Sequence, residues 1–186
     1  MNAYNQTVAP VNTVVARSDV KDHAKIEHTV DDDLVDAYLA AAIRIAEERL
    51  RRQLITATWV LKLDAFPADG AIDLPRPPLQ SITSITYVDT EGDTQTLSTD
   101  VYDADTDSDP GVLVLQHQQS WPVTRDQRHA VTITYVAGYG DDPEDVPADY
   151  RLAIKILAAE YYRERESGGA LPGVVKALLG DRNYNA

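Results

Sequence analysis

The sequence predicts an α+β fold: a helical bundle of two long helices plus short helices, with an antiparallel β-sheet or small barrel inserted between them. Two patterns support this prediction. Apolar residues recur every three or four positions near both ends of the chain, whereas they alternate with polar residues through its middle. Because the predicted strands follow two helices and precede another, the sheet lies between the long helices in chain order.

Two helices are predicted before the strands. Ser18, which is followed by acidic residues, is expected to cap a short helix over residues 20–26. A long helix is predicted to open at the three aspartates 31–33, because negative charge stabilises the start of a helix. Its apolar face comprises Val35, Leu39, Ala42, Ile43, Ala46 and Leu50.

The central region is predicted to form strands. From Thr58 onward Trp59, Leu61 and Leu63 alternate with polar residues, a pattern typical of a strand with one solvated face. Further strands are predicted over residues 71–74, 82–89, 94–97, 112–116 and 131–137, separated by turn signals. Prolines at positions 75, 77 and 78 indicate a stiff, extended connection between two of them.

A closing helix is predicted to begin at Pro147, since proline is favoured in the first turn of a helix. Its apolar stripe comprises Tyr150, Ile154, Leu157, Ala158 and Tyr161. Gly168 and Gly169 are expected to end it, and a short amphipathic helix is predicted over residues 174–179.

Three regions follow from these elements. Residues 1–17 show neither helical nor alternating periodicity and are expected to form a flexible, extended or disordered N-terminal arm. Residues 18–166 are expected to form one domain, with helices within 18–53 and 147–166 and a β region over 57–138. Residues 167–186 are expected to form a C-terminal tail that contains the short helix.

Composition excludes several classes of function. The net charge of −13, from 30 acidic and 17 basic residues, opposes tight binding to nucleic acid or anionic membranes. The absence of cysteine excludes disulfides, thiolate catalysis and cysteine-bound metal. No apolar run is long enough to cross a bilayer and residues 1–17 lack the pattern of a secretory signal, so a cytoplasmic product is expected.

No motif in the sequence predicts catalysis or a cofactor. Alternating aspartates at 103–109 resemble a calcium loop, but Ser108 stands where the loop needs glycine and Val114 where it needs glutamate. An acidic hairpin loop is the favoured interpretation. The four histidines lack zinc-site spacing, and no serine-nucleophile or phosphate-loop motif occurs. We therefore predict no catalytic residue, no metal site and no cofactor.

The aromatic residues of the β region are interpreted as core or interface anchors. The alternative is a platform on which a sugar or a base stacks, but aromatic residues on strands more often pack in cores and interfaces. The residues concerned are Trp59, Tyr87, Trp121, Tyr135 and Tyr139.

Four blocks of sequence, in this order, resemble the head-tail connector family of long-tailed phages, also described as head completion or adaptor proteins. The first joins DVKDHAKI (19–26) to DDDLV (31–35) and to alanines 40–42, and the second is LITATW (54–59). The third and most distinctive is LPRPPLQSITSITY (74–87). The fourth joins ITYVAGYG (133–140) to the closing helix and YYRERE (161–166). The order and spacing of the blocks, which span most of the chain, carry the resemblance.

The resemblance implies a structural protein and no enzyme. It implies a cyclic homo-oligomer, with twelve subunits expected, in the virion neck of a phage or gene transfer agent, assembled in the host cytoplasm. The implied partners are the portal protein, the stopper or tail completion protein, and passing double-stranded DNA without specific binding; no membrane is implied. Two alternatives stay open: an acid/base hydrolase of cell-wall glycan, which needs two carboxylates in a pocket, and a small β-rich binding module.

Two sets of residues are predicted to carry assembly. Mixed charge near the end of the long helix is expected to set the register between neighbouring subunits. This subunit interface comprises Arg44, Glu47, Glu48, Arg51 and Arg52. The apolar stripe of the C-terminal tail is expected to dock on the portal, although packing on its own domain is equally compatible with the sequence. These docking residues are Leu171, Val174, Val175, Leu178, Leu179 and Tyr184.

Overall fold

A computed structural model describes residues 3–68, 70–164 and 171–180. The chain divides into two compact units, and each is built from separate stretches of sequence. One unit comprises residues 1–11 and 56–139 and is called the β unit; the other comprises residues 12–55 and 140–186 and is called the helical unit. The predicted α+β class is confirmed.

The β unit contains two antiparallel sheets. Its strands are β1 (Ala3–Val8), β2 (Ala57–Leu63), β3 (Ala71–Asp73), β4 (Leu79–Val88), β5 (Thr94–Thr96), β6 (Tyr102–Asp105), β7 (Val112–Leu115) and β8 (Val131–Ala137). Five strands pair in the order β1-β2-β8-β4-β5, and three pair in the order β3-β7-β6. Every pairing is antiparallel.

The two central strands of the larger sheet follow from their sequence alternation. Along β2 and β8, every second residue is buried and the residues between are half-buried. The strands pair with Leu61 opposite Ile133, so their apolar residues share one face. That face, which includes Tyr135, belongs to a core that Ile85 and Leu113 also enter. Burial of alternate side chains therefore fixes the register of the sheet.

The helical unit contains α1 (Arg17–Ala24), α2 (Asp32–Leu50), α3 (Ala148–Arg163) and α4 (Gly173–Leu179) among the described residues, with a single 3-10 turn at Pro143–Asp145. α3 contacts the other three helices. The residues it buries are Ala153, Ile154, Leu157, Ala158 and Ala159. The predicted face of α2 is confirmed at five of its six positions, while Ile43 is half-buried.

Both ends of α1 differ from those predicted, since the helix spans Arg17–Ala24 rather than residues 20–26. α1 begins at Arg17 rather than after Ser18, and no side chain caps it. α1 and α2 both end in a left-handed residue, Lys25 and Arg51, whose backbone N–H bonds back to the last turn of its helix. This geometry satisfies terminal carbonyls without the glycine that usually marks a helix end, so the sequence carried little signal for it.

Two strands were not predicted. Ala3–Val8, within the expected flexible arm, form β1, which pairs with β2 at the edge of the larger sheet. All six of its side chains are exposed, so burial imposes no alternation on the sequence of this strand. β6 lies within the acidic stretch and pairs with β7. The acidic segment is thus the end of a hairpin, which confirms the favoured interpretation of residues 103–109.

The C-terminal helix forms where the sequence predicted it, since α4 spans Gly173–Leu179. Gly168, Gly169 and the docking residue Tyr184 lie outside the described residues. Among helices of the described ranges, none combines the length and the apolar character needed to span a bilayer.

Candidate assembly surfaces

The predicted subunit interface begins on the exposed side of α2. Arg44, Glu48 and Arg51 are exposed, and the first two are one helical turn apart. This group presents both signs of charge at the surface of the helical unit. Such a surface can pair with its complement on a second copy, because rim charges set register and association rate.

Of the other two residues of the predicted interface, Glu47 is half-buried and Arg52 is buried. Glu47 Oε1 accepts hydrogen bonds from Gln53 Nε2 at 2.9 Å and from the backbone N–H of Leu54 at 3.1 Å. Arg52 is only 5% exposed. The Glu47 carboxylate therefore fixes the path of the chain as it leaves α2. The sequence shows only that Glu47 lies in a run of charged residues. It does not show whether Glu47 bonds within its own subunit or contacts a neighbouring one.

The predicted docking residues of the C-terminal segment divide between core and surface. Val175 and Leu179 are buried, and α4 contacts α3 within the helical unit. Val174 is 52% exposed, while Leu171 and Leu178 are half-buried. The segment thus packs on its own unit through one face and presents a second, smaller apolar face.

The connection between α1 and α2 is braced by charged and polar contacts that the sequence analysis missed. Lys21 Nζ lies 2.5 Å from Asp32 Oδ1 and donates to the backbone carbonyl of His28 at 2.7 Å. Tyr162 of α3 donates its hydroxyl to Asp31 Oδ2 at 2.7 Å. The hydrogen bond from Lys21 holds the pKa of Asp32 below its ordinary value. These contacts fix the loop between the helices.

Two hairpin ends of the β unit are organised by single aspartates. Asp89 Oδ1 accepts hydrogen bonds from the backbone N–H groups of residues 91, 92 and 93, and Asp105 accepts from Asp107 and Ser108. Hydrogen bonding from the Gln95 side chain and from the backbone of Asp93 lowers the pKa of Asp89. The Asp105 carboxylate thus closes its own turn. Across the described ranges, no group of three or more acidic or histidine side chains is placed to hold a metal ion.

The aromatic residues pack in and around the core of the β unit. Trp59 and Tyr135 are buried, and Tyr135 donates its hydroxyl to the Pro75 carbonyl at 2.8 Å. Burial raises the pKa of Tyr135 far above its ordinary value. Phe66 stacks on Trp121 with ring centroids 4.8 Å apart. The interpretation of Trp59, Tyr87, Trp121 and Tyr135 as packing residues is confirmed.

A hydrolase needs a pocket that holds two carboxylates at a defined separation. The helical unit has an open pocket of about 510 Å³, lined by Arg49, Lys176, Ala177 and Gly180. Among the described residues that line it, the side chains are basic or apolar and none is a carboxylate. These residues give no support to the pair of acids that the glycan-hydrolase alternative requires.

Comparison with known proteins gives one family and several structures. The model of the head completion protein family matches residues 13–170. A chain from the neck of an empty gene transfer agent particle, computed with C6 symmetry, is 25% identical with a TM-score of 0.80, over 95% of this chain and 93% of that one. A chain from the neck of a native gene transfer agent particle, computed with C12 symmetry, is 27% identical with a TM-score of 0.76, over 95% of this chain and 92% of that one.

The virion of a native gene transfer agent particle contains a further similar chain, 25% identical with a TM-score of 0.80, over 95% of this chain and 92% of that one. No curated protein sequence matches the chain.

Proposed function

The chain belongs to the head completion protein family, and from this premise we propose that it is a structural head-tail connector of a virion neck. The observation that carries the proposal is the similarity to neck chains of gene transfer agent particles over 95% of this sequence. Because the similarity extends through both units, the inserted β region belongs to the shared architecture. Identity of 25% with a TM-score of 0.80 fits a subunit that keeps its shape while its surfaces change.

The assembled form is a ring of identical subunits around the DNA channel. The similar necks were computed with C6 and C12 symmetry, and a ring of twelve copies satisfies both. A cyclic ring joins two different faces of each subunit. The exposed charges Arg44, Glu48 and Arg51 contribute to that contact, whereas Glu47 and Arg52 act within the subunit. Within the helical unit, α2 and α3 form the paired long helices of the bundle.

The two ends of the ring bind different partners: the portal protein on the head side and a stopper or tail completion protein on the tail side. The apolar face of the C-terminal segment, formed by Leu171, Val174 and Leu178, is the portal-docking surface. Val174 is exposed and Leu171 and Leu178 are half-buried, while Val175 and Leu179 are buried in the helical unit. The segment therefore docks without first leaving its own unit.

The docking surface is tested by replacing Val174 with aspartate, with Val123→Asp in the β unit as the matched control. Both valines are exposed, so both variants should fold. Loss of portal binding by Val174→Asp alone, measured by co-sedimentation with purified portal rings, is expected. Equal binding by the two variants would reject this surface.

Surplus acid lines the channel of the ring. The chain carries a net charge of −13, and repulsion from DNA phosphate keeps the duplex from adhering as it passes. A surface potential calculated on the assembled ring tests this point, and a basic lumen would contradict it. The connector carries out no reaction and uses no cofactor; it works by presenting surfaces to sister copies and to flanking virion proteins.

Deleting the gene tests the connector function. DNA-filled heads and unattached tails should accumulate, and expression of the wild-type chain in trans should restore tailed particles. Electron micrographs of the particle population provide the measurement. Normal numbers of tailed particles from the deletion strain would reject the proposal.

A further inference from the structure

The larger sheet of the β unit ends in two strands with open edges. β1 and β5 are the outer strands of its five, so within the described part of the chain each pairs with a strand on one side only. Every residue of both strands is exposed. In each strand, about half of the backbone N–H and C=O groups point away from the neighbouring strand of the same sheet. These groups are available to a further strand.

Neither edge carries a charged side chain or a proline, although β5 is only three residues long and the pairing of β1 with β2 is irregular between Gln6 and Val8. Soluble proteins discourage edge-to-edge pairing with charged side chains or proline. β1 reads Ala-Tyr-Asn-Gln-Thr-Val and β5 reads Thr-Gln-Thr, with no charged residue and no proline in either. Charged residues make up 25% of the chain. Neither edge therefore carries the charge that opposes pairing with a further strand.

Side-chain contacts also hold β1 in place against β2. The Tyr4 ring packs against Trp59 of β2 with centroids 5.8 Å apart, and Thr7 Oγ1 donates to the Thr58 carbonyl at 3.3 Å. β1 therefore lies fixed against the sheet although it buries no side chain. A fixed edge can accept a new strand with little loss of conformational entropy.

We propose that β1 of one subunit pairs with β5 of the next, so that the sheets of neighbouring copies join edge to edge around the ring. This inference rests on the proposed ring and adds the contact that closes it. Because neighbouring strands alternate in direction across five strands, β1 and β5 run the same way. A rotation of about 30° between twelve-fold neighbours preserves that direction, so the new pair is parallel.

The strand that pairs with β1 of one subunit is β5 of the next subunit, not its β1. Pairing β1 with β1 would be two-fold, which closes a dimer and leaves both β5 edges open. Pairing β1 with β5 uses each edge once in every subunit and closes in a ring. The contact also brings uncharged Asn, Gln and Thr side chains together, so no charge is desolvated.

Cysteine crosslinking tests the contact, because the chain contains no cysteine of its own. Gln95→Cys, at the centre of β5, is combined in turn with Asn5→Cys and with Gln6→Cys in the full chain. Neighbouring residues of a strand point to opposite faces, so one of the two pairs should share a face with Gln95→Cys. Purified particles are oxidised and their proteins separated without reductant.

A ladder of covalent oligomers of this chain is expected from one double variant and from neither β1 variant alone. A pair in which Val114→Cys of β7 replaces Gln95→Cys is the matched control and should give no ladder. Rings that assemble but give no ladder would overturn the inference and leave the connector function intact. A covalent dimer from Asn5→Cys or Gln6→Cys alone would replace it with two-fold β1 pairing. Particles without a ring of this chain would reject the proposed function and this contact with it.

Discussion

Replacing Glu47 with alanine tests whether this residue stabilises the subunit rather than joins subunits. Its carboxylate accepts hydrogen bonds from the backbone N–H of Leu54 and from Gln53 Nε2. Gln53 is 1% and Leu54 is 0% exposed, whereas Glu47 is half-buried. The variant therefore removes one acceptor from each of these two donors.

The size of the effect follows from the two bonds. A buried backbone N–H without an acceptor costs about 1–3 kcal/mol. Gln53 Nε2 also donates to the Ile55 carbonyl at 3.0 Å, so its loss is partial and costs about 1 kcal/mol. We expect Glu47→Ala to lower the free energy of unfolding of the helical unit by about 2–4 kcal/mol.

Urea denaturation followed by far-ultraviolet circular dichroism measures this effect, because all four described α-helices belong to the helical unit. Tryptophan fluorescence follows the other unit, since Trp59 and Trp121 both lie in the β unit. Glu27→Ala, at an exposed position of the same unit, is the matched control and should change stability by less than about 0.5 kcal/mol. Equal stability of the Glu47 and Glu27 variants would refute the structural role of Glu47.

Two further predictions concern glycine and pH. At Gly140 a Cβ would overlap the Asp145 carboxylate, which accepts a hydrogen bond in the 3-10 turn, so Gly140→Ala should lower the melting temperature. At Gly173 a Cβ would meet open space, so Gly173→Ala is the control and should leave the melting temperature unchanged. Scanning calorimetry compares the two variants, and equal melting temperatures would contradict the packing at Gly140. Hydrogen bonds from the Gln95 side chain and then the backbone of residue 93 lower the pKa of Asp89 in the folded protein below its ordinary value of 3.8. The charged carboxylate therefore stabilises the fold above pH 3.8, and this stabilisation is lost as the pH falls through the lowered pKa. The melting-temperature difference between wild type and Asp89→Asn should hold near neutral pH and shrink in acid, and a difference independent of pH would count against this role.

The parts of the fold that bury side chains could be predicted from the sequence. β8 lies over the residues predicted, 131–137, because burial forces alternation along a central strand. β1 and β6 were missed for the opposite reason. β1 buries nothing, and β6 combines Tyr102 with aspartates that resemble a loop in composition. An exposed strand forms because its backbone pairs with a neighbouring strand, and backbone pairing does not require alternating apolar and polar residues in the sequence.

The candidate surfaces could be predicted only in outline. The sequence located charge near the end of α2 but could not separate exposed Arg44 from Glu47, whose role depends on the path taken by residues 53 and 54. It located the apolar stripe of the C-terminal segment but could not show which residues face the core. Val174 and Val175 are identical in chemistry and adjacent in sequence, yet only the second is buried. Tertiary packing decides such cases.

The connector function is tested most directly by cryo-electron microscopy of the neck of purified particles. The reconstruction should contain a closed ring whose subunit density fits this chain, seated between the portal and the tail. A neck whose density is fully accounted for by other polypeptides would contradict the connector function.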